Sequence, residues 1–366
     1  MKSTASKDDV LRKDLANANQ TNEQNTSANS LKPPALQLQS SDPTQSQKTD
    51  ADMTAAPYTM KDLGSWKGDM VRTMLAEIGY DKPEQYFQEM VSINFLGKRA
   101  RKIRPEFARV LKTVESKLCE QLYLVDPSLS DPAEAGRYLG IDEEFATIRG
   151  LKPEKAEYQS MHLFGLAIDI NLRKNPWITQ KKKKKKPLKK VIRRMDALFN
   201  TSIIDDYRYQ NANKEVSNLG ELEEIYDSYA NLDKSFERYF SLMDDDEQLQ
   251  AALAASESRK WKKMSVRSAK KQIKEDRRVM AKQWSRKRAT KELKHRGIMD
   301  MDKRLVMAMG AEKLDWGGKY GDMMHFDMRF TGFGEKIQKT KKKSKVRKLK
   351  KEIKLLRQAE ESGFMA

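Results

Sequence analysis

Three histidines occur in the 366 residues, and two of them lie in compact clusters with carboxylates. The first cluster runs from Ser160 to Asp169 and holds His162; the second is Asp322-Met-Met-His325-Phe-Asp327. His162 and Asp169 stand seven residues apart around a glycine-containing turn, so both can reach one ion. His325 opens a second candidate strand and supplies a third ligand if that strand lies beside the first. Two imidazoles and one carboxylate suit zinc and leave a fourth tetrahedral position for water. Asp322, three residues before His325, is placed to take and return a proton. Arg149, 13 residues before His162, is the candidate cation for the charge that develops on an attacked carbonyl oxygen. The chemistry expected of such a set is metal-assisted hydrolysis.

Those side chains need strands to hold them. Residues 145–150 read as a short strand closed by Gly150. Residues 163–170 alternate so that Ala167 and Asp169 share one face. Residues 325–330 also alternate, with Phe326, Met328 and Phe330 on one face and His325, Asp327 and Arg329 on the other. Upstream, the pattern from about 60 to 124 is helical. Gly79 is a C-cap, Pro83 starts a second helix, and an apolar stripe from Phe107 to Leu122 marks a third. Between the two strands lies a long, highly charged helical segment. Its 219–250 part is acidic, and 259–296 carries 17 Lys/Arg in 38 residues. The acidic and basic parts are expected to pair as an antiparallel hairpin. Residues 181–194 carry ten positive charges in 14 residues, and the lysine run at 181–186 reads as a solvated loop, a polyanion contact or a localisation signal.

The fold class expected is α+β, a small antiparallel sheet carrying a zinc site and flanked by helices. The organisation expected is a polar tail at 1–57, helices plus the first half of the metal-site core at 58–180 and a charged insertion at 181–304. The second half of the core follows at 305–335, and a basic C-terminal helix at 336–366. The tail has no aromatic residue and too little apolar surface to offset its ordering entropy, so disorder is expected there.

The pattern Ser160-x-His162-x-x-Gly165-x-Ala167-x-Asp169 resembles the first signature of the zinc D-alanyl-D-alanine carboxypeptidase family. That family includes vancomycin-resistance D,D-peptidases and phage L-alanyl-D-glutamate endopeptidases. Trp316-Gly-Gly followed by Asp322-x-x-His325 resembles its second signature. The resemblance implies Zn2+ held by His162, Asp169 and His325, with Asp322 as catalytic base and Arg149 as the arginine before the first signature. It implies that Ser160 holds the ligand loop by hydrogen bonding and that Trp316 packs under the site. Asp327 is either a partner of His325 or a surface residue, Asp315 reads as a loop cap, and His295 as exposed. The chain departs from the family in its gap of 156 residues between Asp169 and His325.

A net charge of +19 favours an anionic partner, target or surface. The lone cysteine, Cys119, excludes a disulfide framework and reads as a small buried hydrophobe. Neither a Sec-type signal nor a membrane span is expected. Three functions follow as expectations. The first is a zinc peptidase acting on peptidoglycan stem peptides. The second is a non-catalytic or metal-binding module whose basic helices hold nucleic acid or an anionic surface. The third is an exported or injected effector peptidase acting on a protein, with residues 1–57 addressing a secretion or contractile-injection machine.

Overall fold

The computed structural model describes residues 53–57, 75–147, 160–175, 182–203, 214–283 and 299–341. Arg149 and His295 lie outside them, as do residues 1–52. The described residues all belong to the unit Thr44–Ala366.

Its first sheet is an antiparallel β1-β2-β3 arrangement of β1 (Thr54–Ala55), β2 (Val91–Phe95) and β3 (Lys98–Ile103). A short helix, α1 (Pro83–Gln88), precedes β2 with proline in its first turn. This corrects two expectations. Residues 53–57 were read as part of the disordered tail, yet Thr54 pairs with Ser92 and Ala55 with Val91. The helical pattern expected from about 60 to 124 is interrupted at 91–103, which is a hairpin. Its turn is Leu96-Gly97, both at positive φ (47° and 74°), which suits the twist of a two-residue hairpin. A Cβ at Gly97 would stand 2.6 Å from the Ala133 backbone, so glycine is needed there for space as well as for φ.

Helix α2 (Pro105–Tyr123) buries Phe107, Leu111, Val114, Leu118 and Leu122, the stripe legible in the sequence. Cys119 is buried on the same helix, and burial together with the Glu115 charge pushes its thiol up to about 11. That matches an inert hydrophobe. Helix α3 (Pro132–Tyr138) is capped by Asp131, whose carboxylate accepts from the amides of Ala133 and Glu134.

The second sheet has the order β4-β6-β5, from β4 (Ala167–Asp169), β5 (Asp315–Trp316) and β6 (His325–Asp327). Both neighbours of β6 are antiparallel to it. Asp169 lies opposite His325, and Asp327 lies between Ala167 and Asp315. A single bridge from Ala146 to Asp169 is what the structure describes of the strand expected at 145–150. The two other strands are shorter than read. Residues Met161–Phe164 form a 3-10 turn, and 328–331 leave the sheet in a turn closed by Thr331 N–H on the Met328 carbonyl (3.2 Å).

Between β4 and β5 come α4 (Lys182–Phe199), α5 (Leu219–Ser241), α6 (Asp246–Ala255), α7 (Arg259–Lys262), α8 (Val266–Gln283) and α9 (Lys303–Ala311). A last helix, α10, spans 332–341. The run at 181–186 therefore enters a helix at Lys182 and is not a loop. The acidic and basic parts are not joined by a single turn, because α6 and α7 intervene, although α5 and α8 do touch. α8 packs on α4 and buries Ala269, Ile273 and Met280, while Glu223 and Asp227 of α5 pair with Lys303 (2.8 and 2.9 Å). Buried Asp276 of α8 accepts from Arg194 of α4 (2.8 Å) and Tyr239 of α5 (2.8 Å), which ties three helices together.

The long gap does not separate the two halves of the second sheet, because its ends are stitched together. Buried Asn175 donates to the Asp300 carbonyl (2.9 Å) and accepts from the Asp300 amide (2.7 Å). Helix α5 then packs on the second half. Tyr226 and Tyr229 lie with ring centroids 5.9 and 6.1 Å from Trp316, and the Tyr226 hydroxyl donates to the Met301 carbonyl (2.6 Å). Among the described residues, no helix is long and apolar enough to cross a membrane.

Candidate metal centre

Each residue of the first cluster has a local reason to be where it is. Ser160 precedes the 3-10 turn, and its hydroxyl accepts from the His162 amide (3.4 Å). Gly165 ends the turn at φ +64°, and its carbonyl accepts from the Arg104 amide (2.8 Å). A Cβ there would lie 2.9 Å from that amide nitrogen and 2.7 Å from Met90 Sδ. The turn lets His162 face back along β4 towards Asp169.

The second cluster relies on two glycines beside an indole. A Cβ on Gly318 would stand 2.3 Å from the Trp316 ring, and one on Gly317 would stand 2.5 Å from the Asp322 carbonyl oxygen and 2.9 Å from His325 Cβ. Trp316 donates through Nε1 to the Met323 carbonyl (2.8 Å). The Asp322 amide donates to the Gly317 carbonyl (2.9 Å), and the His325 amide to the Asp322 carbonyl (3.1 Å). Trp-Gly-Gly thus forms the bed on which the Asp322–His325 turn rests. Gly317→Ala is expected to push that turn away and weaken metal binding at least tenfold, at a stability cost of about 1–3 kcal/mol. Zinc titration beside thermal unfolding of the same variant checks both effects.

His162, Asp169 and His325 are brought together, all buried. Asp169 Oδ1 lies 3.0 Å from His162 Nε2 and 3.0 Å from His325 Nδ1, and the two nitrogens lie 3.1 Å apart. The outer nitrogens decide what these atoms can be. His162 Nδ1 faces the Thr147 carbonyl at 3.1 Å, and a carbonyl can only accept, so Nδ1 carries a proton. His325 Nε2 donates to Asp327 Oδ2 at 2.7 Å. In the neutral rings the inward Nε2 of His162 and Nδ1 of His325 are therefore lone pairs, and both point at an anionic oxygen. Three lone pairs in so small a triangle repel one another unless a cation lies among them. Ligand atoms around tetrahedral zinc stand about 3.4 Å apart at the usual bond lengths, close to this triangle. The donor set fits the metal.

The alternative cation is a proton. Burial works to lower the pKa of His325, but its hydrogen bonds to Asp169 and Asp327 and their charges outweigh this and push it up to about 10. Burial likewise opposes the charge on Asp169, yet the two histidines hold its carboxyl well below the usual range.

Around β6 lies a set of charges that the sequence signalled only through the alternation of His325, Asp327 and Arg329. Asp327 is fully buried and accepts from Arg329 Nε (2.9 and 3.0 Å) as well as from His325, so it is a partner of the histidine and not a surface residue. Asp315 is not a loop cap. It lies on β5, buried, and pairs with Lys319 and Arg329. Burial and the neighbouring Asp327 charge push Asp315 up to about 6, against the pull of those two cations. Lys319 and the Thr147 carbonyl had no sequence signal, since a lysine in a loop ordinarily points to water and a carbonyl leaves no mark in a sequence.

Residues 154–202 match the family model described as D-alanyl-D-alanine carboxypeptidase. The match supports a peptidase. It covers His162 and Asp169 and ends well before Trp316, Asp322 and His325, so the second half of the centre stands on its geometry. No curated protein and no solved structure matches the chain.

Proposed function

We propose that the chain is a zinc peptidase that hydrolyses a peptide amide in peptidoglycan stem peptides. The observation that carries this is the triangle of two imidazole lone pairs and one carboxylate oxygen, of which His162 and Asp169 lie within the matched stretch. His162, Asp169 and His325 would hold the ion, which when bound would supply a Lewis acid and a water acidic enough to be deprotonated near neutral pH. Asp322 would serve as the base that takes a proton from the attacking water and returns it to the leaving amine nitrogen. Arg149 offsets the charge on the carbonyl oxygen. Ser160 and Trp316 keep the two ligand turns in place. Incubation with purified muropeptides, read by mass spectrometry, tests the proposal. Shortened stem peptides are expected, and their absence with a zinc-loaded chain would remove the substrate from it.

A second reading has its own observation. Lys189, Lys190 and Arg193 of α4 and Arg267, Lys271, Lys274 and Arg278 of α8 are exposed cations on helices that pack together. Trp261 is 2% exposed and donates to the Arg194 carbonyl (3.0 Å), so it is not a platform on which bases could stack. The reading is a module that holds a polyanion by charge alone. Binding to duplex DNA is expected to weaken about 10³-fold or more between 50 and 200 mM salt, as for several phosphate contacts. Filter binding across that range with Lys271→Glu/Lys274→Glu beside the parent chain checks it, and salt-insensitive binding would sink it.

A further inference from the structure

We infer that Asp327, Arg329, Asp315 and Lys319 form a buried relay that positions His325 for the metal and anchors it to the inserted helical segment. This rests on the zinc reading above. The relay starts at His325 Nε2, which donates to Asp327 Oδ2 (2.7 Å). Arg329 grips Asp327 through Nε and through its own amide (2.9 Å to Oδ1), and Arg329 Nε lies 3.2 Å from Asp315 Oδ2, an ion pair in which that oxygen accepts no hydrogen bond. Lys319 Nζ pairs with Asp315 Oδ1 and donates to the Lys214 carbonyl (2.6 Å), just ahead of α5. Asp327 and Lys319 are 0% exposed, Asp315 6% and the Arg329 side chain 14%, so little water screens the chain of charges.

Two cations and two anions balance, yet burying four charges is a poor way to gain stability. Apolar residues of similar volume commonly do as well or better. What the arrangement does achieve is orientation. A carboxylate on the outer nitrogen of a ligand histidine fixes its tautomer and strengthens the inner nitrogen as a donor. Arg329 keeps Asp327 from rotating off the ring, and the Asp315 charge attracts Arg329 from its other side. Lys319 closes the chain on backbone from within the 156-residue gap between the two half-sites. On this inference the insertion is a structural support of His325.

The test uses the full chain with Asp327→Asn, which keeps the shape and can still accept from Nε2–H, and Lys319→Met, which removes the far end of the relay. Zinc affinity is read by competition with a chromophoric chelator, and folding by circular dichroism and thermal unfolding. Asp327→Asn is expected to weaken zinc binding about 10–100-fold, and Lys319→Met to weaken it less but measurably, in chains that still unfold cooperatively. The hydrogen-bonded Nε2 proton of His325 is expected as a downfield proton resonance in the zinc-loaded parent and to move upfield in Asp327→Asn. Unchanged zinc affinity and an unchanged resonance in folded variants would overturn the relay and leave the zinc reading standing. A parent chain that binds no zinc would overturn both. If Asp327→Asn does not fold, Lys319→Met decides, and parental zinc affinity in that variant overturns the inference.

Discussion

Replacing either His162 or His325 by alanine is expected to abolish stoichiometric zinc binding, whereas the parent chain should co-purify with about one zinc per molecule. Each imidazole supplies one vertex of a three-atom triangle, and two remaining protein donors are too few for a tight tetrahedral site. The loss should exceed the about 10–100-fold that accompanies removal of an outer partner such as Asp327. Metal analysis of the purified chains is one measurement. A second reads stability: zinc at 1,000 times its dissociation constant stabilises the folded chain by about 4 kcal/mol. A chelator should therefore lower the unfolding temperature of the parent and leave both variants unmoved. A metal-free parent that is folded and indifferent to chelator would remove the metal centre from the proposed function.

Asp322→Ala is expected to separate metal binding from turnover. Asp322 lies outside the ligand triangle, and its backbone closes the turn onto Gly317 and His325. The variant should keep zinc within a few-fold of the parent. Loss of a positioned base usually costs about 10²–10⁴-fold in rate, and a drop of that size in kcat on the muropeptide that the parent cleaves is expected. Parental turnover would assign the base elsewhere, and loss of zinc along with activity would make Asp322 a ligand or a prop.

The site was more legible than the fold. Helix α2 could be read because its apolar stripe repeats at helical spacing over 19 residues, long enough for periodicity to be unambiguous. The β2–β3 hairpin could not. Lys98–Ile103 shows basic residues around Ala100, and its tip is Leu96-Gly97 in place of an Asn-Gly or Asp-Gly pair. Only the burial of Leu96 beneath α3 and the close approach of Gly97 to Ala133 explain that turn. In the same way, the strand expected from Leu163 begins later because Gly165 must sit at positive φ against the end of β3.

The sequence by itself determined the donor set. His162, Asp169 and His325 are named by residue type, by the scarcity of histidine and by spacing around glycines, and these are local properties of a chain. Tertiary structure alone decided which ring nitrogens face inward, because that depends on the Thr147 carbonyl and the Asp327 carboxylate as outer partners. It also decided that buried charges from Asp327 to Lys319 stand behind His325, and that Asn175 and Asp300 close a gap of more than a hundred residues. Contacts between residues so far apart in the chain are set by packing, and no local pattern of residue types records them.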